Sequence, residues 1–310
     1  MLKILLIGMG SIGRRHLQCL QNFNDLELAS LRTSKGTLKE NIEIQEFYNF
    51  EDAFHFRPVG VIISNPTALH VETALPFLQK GIKLLIEKPV SHTLAESKLL
   101  LPYSKLLRIA YCMRFHSLND IIKSILQKEK VYKVGFKRSF YLPKWHPYAD
   151  YRIEYTAKKE LGGGVIRTLS HEIDLMLHWF GKPKSITGVI DKVSNLEIDT
   201  DDYAFFTCRY TQGFRVNFEL DFLSPSNVNT GELFTDKGKY QWNMAEVWFT
   251  PYNEVDKKDF VIFNKDEIDK MYLRQMTDFI DFIKVGKSMN ANLKEGIEIL
   301  KIIEKVDAKA

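Results

Sequence analysis

Met1–His16 reads MLKILLIGMGSIGRRH, and the order of residue types in it decides how the chain begins to fold. Leu2, Ile4, Leu5, Leu6 and Ile7 make an apolar run suited to a short strand buried on both faces. Gly8, Gly10 and Gly13 follow at once with the spacing G-x-G-x-x-G. In that setting the first glycine permits a tight turn, the second lets backbone approach a pyrophosphate, and the third lets the next helix lie against the strand. Ile12, His16, Leu17 and Leu20 mark one face of a helix that starts near Ser11, with its N–H groups and positive dipole end toward the phosphates. Gly8, Gly10, Ser11, Ile12 and Gly13 are thus the first nucleotide-binding candidates.

The remaining composition narrows the field. The 310 residues are 45% apolar and 26% charged, which suits a globular chain of two domains. A net charge of +4 from 43 basic and 39 acidic residues, without a basic block, gives no footprint for nucleic acid or a membrane surface. Cys19, Cys112 and Cys208 show no metal-type spacing and read as reduced thiols of a cytoplasmic protein. The apolar start is too short for a signal peptide or a membrane span.

A second strand, Leu26–Leu31, ends in Arg32-Thr33-Ser34-Lys35, where a cofactor specificity residue belongs. An acid there would take both ribose hydroxyls of NAD. The arginine, two hydroxyls and lysine instead suit a 2'-phosphate, so NADP is preferred over NAD, with Arg32, Thr33 and Ser34 as its contacts; a solvated basic loop is the bland alternative. Val59–Ser64 is a strand, Asn65-Pro66-Thr67 a turn, Ala68–Gln79 a helix ended by Gly81, and Ile82–Ile86 a strand that stops at Glu87-Lys88-Pro89. Both turns then open at the carboxyl edge of a parallel sheet, which puts Lys88 near the nicotinamide end. Leu94–Leu107 reads as a helix and Ile109–Cys112 as a strand, followed by Met113-Arg114-Phe115-His116 and a domain boundary near Leu118.

Gly8-x-Gly10-x-x-Gly13-x-x-His16, Asn65-Pro66-Thr67-x-x-His70, Glu87-Lys88-Pro89 and Arg114-Phe115 together resemble the Gfo/Idh/MocA family, and the likeness extends through nearly the whole chain. The resemblance implies an α/β protein, with an N-terminal Rossmann dinucleotide-binding domain (1–118) and a C-terminal α/β substrate-binding and oligomerisation domain (119–310) with a large open, mostly antiparallel sheet. It also implies hydride transfer between nicotinamide and a sugar, sugar acid, cyclitol or nucleotide sugar bound in a cleft between the domains. Lys88 carries over as the catalytic and substrate-binding lysine. Asn65, Pro66, Thr67, His70, Glu87, Lys88 and Arg114 join the cofactor candidates, although His16 and His70 also suit helix packing or capping. A homodimer or homotetramer is expected, because the family's open sheet commonly packs against another copy.

In the second half, Ile121–Lys128 resembles the helix that opens the family's second domain, and Val131–Leu142 and Ser185–Val193 read as strands. Tyr203–Tyr210 pairs with Phe214–Phe222 across a hairpin, as Thr230–Phe234 does with Lys239–Asn243. Helices over Ile268–Lys284 and Leu293–Val306 close the chain. Gly162-Gly163-Gly164 precedes a helix that carries Arg167, His171 and Asp174 on one face. An imidazole can pass a hydroxyl proton while hydride moves, so His171 is the second catalytic candidate; a histidine satisfied by packing is the alternative. The family's aspartate four residues before this histidine is Arg167 here, with Thr168 beside it, which suggests a different substrate charge. No His, Glu or Cys spacing marks a metal site. Trp145 and Arg152 lie in an aromatic and cationic loop able to stack on a sugar ring and grip an anion, so the substrate set is Lys88, Arg114, Trp145, Arg152, Arg167 and His171. Asp150-Tyr151-Arg152, continued through Tyr155, Lys158 and Glu160, resembles a branch of the family associated with surface-glycan and nonulosonic acid pathways. Two alternatives stay open: an NAD-dependent glycoside hydrolase of the same fold, and a non-catalytic nucleotide-binding sensor.

Overall fold

The computed structural model describes residues 1–32, 42–253 and 258–307, and the chain divides into two compact units. The first comprises Met1–Arg114, Glu160–Gly162 and Tyr272–Leu300. Its strands are β1 (Leu2–Ile7), β2 (Leu26–Leu31), β3 (Gln45–Phe47), β4 (Gly60–Ile63), β5 (Lys83–Ile86) and β6 (Leu107–Ile109). They lie in the order β3-β2-β1-β4-β5-β6, and every pair is parallel. Ile4, Leu5, Leu6, Val61, Ile62 and Ile63 are fully buried, as strands covered on both faces must be. The strand order reverses between β1 and β4, so the turns that leave these neighbours flank the crevice where open parallel sheets bind ligands.

Two elements differ from the reading above. Leu94–Ser97 alone is α-helical, a 3-10 stretch covers Lys98–Tyr103, and the strand is Leu107–Ile109. Pro102 has no N–H with which to continue a helix, and Arg108 between two buried neighbours keeps the alternation of a strand.

Helix α1 (Ser11–Leu20) and helix α2 (His70–Gln79), which a 3-10 turn at Thr67–Leu69 introduces, belong to this unit. Its core also draws on the far end of the sequence. Met276, Phe279 and Phe282 cluster with Ile4, Leu6, Leu17, Leu20, Ile62 and Leu85. Lys83 Nζ donates to the carbonyls of Phe282 and Ile283 at 2.8 and 3.0 Å. Ile109 N–H donates to Ala291 O at 2.8 Å. Tyr272–Leu300, which the sequence reading placed with everything after Leu118, therefore lies in the first unit. Periodicity reports that a helix buries a face, not which sheet that face covers.

The second unit comprises Phe115–Lys159, Gly163–Met271 and Lys301–Ala310. Its strands are β7 (Val131–Ser139), β8 (Ser185–Asp191), β9 (Tyr203–Arg209), β10 (Arg215–Asp221), β11 (Val228–Thr235), β12 (Gly238–Trp242), β13 (Glu246–Pro251) and β14 (Lys258–Ile262). They form one sheet in the order β14-β13-β12-β11-β7-β10-β9-β8. All pairs are antiparallel except β7 with β10. One face is apolar: Phe206, Phe218, Phe136 and Trp179 stack in turn with centroids 4.4, 5.2 and 5.7 Å apart. The other face carries Lys137–Glu219 and Lys133–Glu232–Lys239 ion pairs. No helix among the described residues is long and apolar enough to cross a membrane.

Candidate active site

The glycine turn has the geometry its spacing implies. Gly8 sits at φ +86°, and a Cβ there would lie 2.5 Å from Asn65 N; one on Gly13 would lie 2.0 Å from Gly8 O. Both positions are closed to any side chain. Gly10 is different, for a Cβ on it would meet nothing within 4 Å among the described residues. It caps α1 with extended backbone, without a side-chain cap and without an acid in the first turn. Open space above Gly10, with the helix start at Ser11 and Ile12 uncapped by a side chain, fits a bound pyrophosphate.

Three turns meet at the carboxyl ends of β1, β4 and β5. Ser64 Oγ reaches Ile7 O at 3.0 Å and Gly8 O at 2.7 Å, tying the Asn65 turn to the glycine turn. Asn65 Nδ2 donates to Thr73 Oγ1 at 2.9 Å, and Thr67 is buried beside Pro66. His70 lies 2.9 Å from Pro89 O through Nδ1 and 3.0 Å from Asn65 O through Nε2. Burial pushes its pKa down. A neutral ring has one N–H, so it donates to one of these carbonyls at a time. His70 joins the Asn65 turn to the lysine turn from within. The Glu87 carboxylate lies 2.7 Å from His16 Nε2 and also accepts the Lys88 N–H at 3.2 Å. Lys88 itself is half-buried.

Two arginines are engaged by acids. Arg32 follows β2 directly, its N–H on Phe47 O at 2.9 Å, and its Nη1 lies 2.6 Å from Glu46 Oε1. That bond holds the Glu46 carboxyl below its usual range, against the opposing effect of burial. Thr33 and Ser34 lie outside the described residues. Arg114 is buried, with Nη1 3.0 Å from Glu295 Oε1.

In the second unit the expected single helix is two. Val165–Thr168 ends at Leu169 (φ −99°, ψ 38°), and α3 (His171–Phe180) begins after Ser170. Arg167 and His171 are therefore half-buried on consecutive helices rather than one face of one helix, and Asp174 is fully buried. A Cβ on Gly164, at φ +107°, would lie 2.3 Å from Asp201 Oδ1. Asp201 Oδ2 accepts the Ile166 N–H at 3.2 Å; burial pushes this carboxyl up, while the Ile166 bond and the Arg167 charge pull it down. Nothing in the local sequence singled out Asp201, which reaches the helix start from a distant loop. His16, by contrast, stands in the quoted glycine motif.

Trp145 packs on Phe140 and stacks on His146, each with centroids 4.6 Å apart. It lies on a short helix, Leu142–Trp145. Arg152 is exposed and bidentate on Asp150, at 2.9 and 2.8 Å.

Comparison with known proteins places these features in a wider set. Residues 2–105 match the model described as the oxidoreductase family with an NAD-binding Rossmann fold, and residues 122–241 match the GFO/IDH/MocA C-terminal domain. The chain is 29% identical over 224 residues to the scyllo-inositol 2-dehydrogenase (NADP(+)) IolW of Bacillus subtilis, covering 67% of this chain and 60% of that one. It is 25% identical over 229 residues to the glucose-6-phosphate 3-dehydrogenase of the same organism, covering 66% and 63%. The match thus spans about three fifths of these relatives' length. The crystal structure of GenD2 from gentamicin A biosynthesis, in complex with NAD, superposes with a TM-score of 0.83 at 15% identity, over 100% of this chain and 94% of that one.

Proposed function

Since the chain belongs to the GFO/IDH/MocA oxidoreductase family, we propose that it is an NAD(P)-dependent dehydrogenase acting on a CH–OH group of a sugar, cyclitol or nucleotide sugar. The observation that carries the reading is the convergence of the glycine, Asn65 and lysine turns at the ends of β1, β4 and β5, with space open at Gly10 among the described residues but closed at Gly8 and Gly13. A bound nicotinamide dinucleotide would supply the hydride acceptor or donor. Gly10, Ser11 and Ile12 would hold its pyrophosphate by backbone N–H groups, and Asn65, Pro66 and Thr67 would border the adjoining stretch.

Lys88 has the role of a fixed cation that polarises the reacting oxygen and lowers the cost of negative charge there. His171 has the role of proton acceptor in oxidation and proton donor in reduction. Arg167, in place of an acid, favours a substrate that carries a negative group. Trp145 and Arg152 remain weaker candidates for contact with substrate, Arg152 because it is already paired with Asp150.

NADP is the preferred cofactor, supported by the position of Arg32 immediately after β2. NAD is the second reading, supported by Glu46, which brings to this spot the carboxylate that residues 32–35 lack. The sheet face of alternating ion pairs supports a homodimer or homotetramer, and the burial of Cys19, Cys112 and Cys208 outside any disulfide supports a reducing, cytoplasmic setting. Assays with scyllo-inositol and glucose 6-phosphate, followed at the NADPH absorbance band, test the activity. Lys88→Ala and His171→Ala are expected to lower turnover by about two to four orders of magnitude with cofactor affinity nearly unchanged. Wild-type turnover in either variant would remove the role given to that residue.

A further inference from the structure

We propose that His16 and Glu87 act as a positioning couple that fixes Lys88 to the helix of the glycine turn, so that nucleotide seating and lysine placement are one event. The proposal rests on the dehydrogenase reading of the site. His16 lies in the middle of α1, fully buried, and Glu87 is 9% exposed. Their 2.7 Å contact crosses 71 positions of sequence. A carboxylate only accepts hydrogen bonds, so Nε2 carries the ring proton and donates it. The other carboxylate oxygen accepts the backbone N–H of Lys88 at 3.2 Å. The side chain before the lysine is thereby held at both oxygens, one on the nucleotide helix and one on the lysine's own backbone.

Three further bonds close the frame: Glu87 N–H to Ile63 O at 2.8 Å, Ala110 N–H to Ile86 O at 2.9 Å, and His70 to Pro89 O at 2.9 Å. Packing alone does not call for a polar pair here. Two buried polar groups carry a large desolvation cost, and a pair of apolar side chains would fill the same space as stably. His16 Nδ1 is buried without a hydrogen-bond partner among the described residues, a further cost borne at this position. What an apolar pair would lack is direction, because dispersion contacts do not fix where Lys88 N–H points. The reach from Gly10 to His16 is about 9 Å along α1, so a nucleotide that settles the helix start also settles the lysine turn. By reciprocity, loss of the couple loosens both effects together.

The test is the rate at which acetic anhydride acetylates Lys88, measured by peptide mass spectrometry relative to exposed Lys284, with and without saturating NADP+ or NAD+. Wild-type protein is expected to show at least tenfold protection by nucleotide. His16→Leu, and the paired apolar change His16→Leu with Glu87→Leu, are expected to lose most of that protection, to under threefold. By the same reciprocity NADPH affinity should weaken by a comparable factor, so protection is read at saturation, and melting temperature should be preserved in the double variant. Glu87→Gln retains an acceptor for Lys88 N–H and an amide for His16, and is expected to restore protection to within twofold of wild type. Protection of wild-type strength in the folded double variant would overturn the proposal, since a merely structural pair leaves Lys88 unaffected. If wild-type Lys88 is not protected although NADPH binds, the placement of Lys88 beside nicotinamide is wrong and the proposal goes with it.

Discussion

Replacing Gly10 by alanine separates space kept for a ligand from space the fold cannot give up. Gly10 has φ −71° and ψ −166°, an extended conformation open to any residue, and among the described residues nothing beyond its own chain neighbours lies within 4 Å of where its Cβ would be. Alanine there restricts the unfolded chain, a gain of about 0.4–1 kcal/mol, but it is a poorer N-cap than glycine by a similar amount. For a unit of this size the melting temperature is therefore expected to stay within about 3 °C of wild type. The same methyl stands where a pyrophosphate must approach, so affinity for NADPH and NADH is expected to fall at least tenfold, or about 1.4 kcal/mol. Gly13→Ala is the control. Its Cβ would be 2.0 Å from Gly8 O, a main-chain atom that cannot turn aside. Overpacking of that kind costs about 1–3 kcal/mol or more, against at most about 1 kcal/mol gained in helix propensity. Scanning fluorimetry reads stability and fluorescence titration reads binding. A folded Gly10→Ala protein that binds both nucleotides as wild type does would refute the reasoning.

Arg32→Ala is expected to weaken NADPH binding by tenfold or more and NADH binding by less than threefold, in paired titrations; equal losses would transfer the specificity role elsewhere. Burial raises the Glu232 carboxyl, but hydrogen bonds from Lys133 and Lys239 outweigh it and leave the folded pKa below the usual 4.5. The pair energy is therefore present above pH 4.5 and is lost as pH falls through the lower folded value, so Glu232→Gln should flatten the decline of melting temperature in acid. A slope unchanged from wild type would show the clamp to be idle. Burial pushes both the Cys112 and the Cys208 thiol up to about 12. Iodoacetamide at pH 8 should modify neither in the folded protein and both in urea, as mass spectrometry would show.

The first sheet was legible because its signals are local. Ile4–Ile7, the three glycines and the Asn65 turn each announce one conformation by residue type, and the structure follows them nearly residue for residue. The hairpins Tyr203–Arg209 with Arg215–Asp221 were legible for the same reason. The failures share a different cause. Pro102 and Leu169 interrupt apolar periodicity without altering it, so a helix was read through each break. Asp201 and Glu46 come to their partners from other strands and loops, and no spacing records such a meeting. Glu87 shows the limit most clearly: sequence placed it at a functional turn, but only coordinates reveal that its carboxylate faces His16 and not the crevice.

The return of Tyr272–Leu300 to the first unit bears on how the protein is made. β1 to β6 leave the ribosome in the first 109 residues, but Met276, Phe279 and Phe282 follow only after the whole second sheet has been synthesised. The 157 residues between Arg114 and Tyr272 take about 8–30 s at ordinary elongation rates. During that interval Ile4, Leu6, Ile62 and Leu85 lack the aromatic side chains that complete their core. Nascent chains cut before residue 272 should then expose apolar surface and engage holding chaperones, and the nucleotide-binding half should reach its final stability only after the last helices are released.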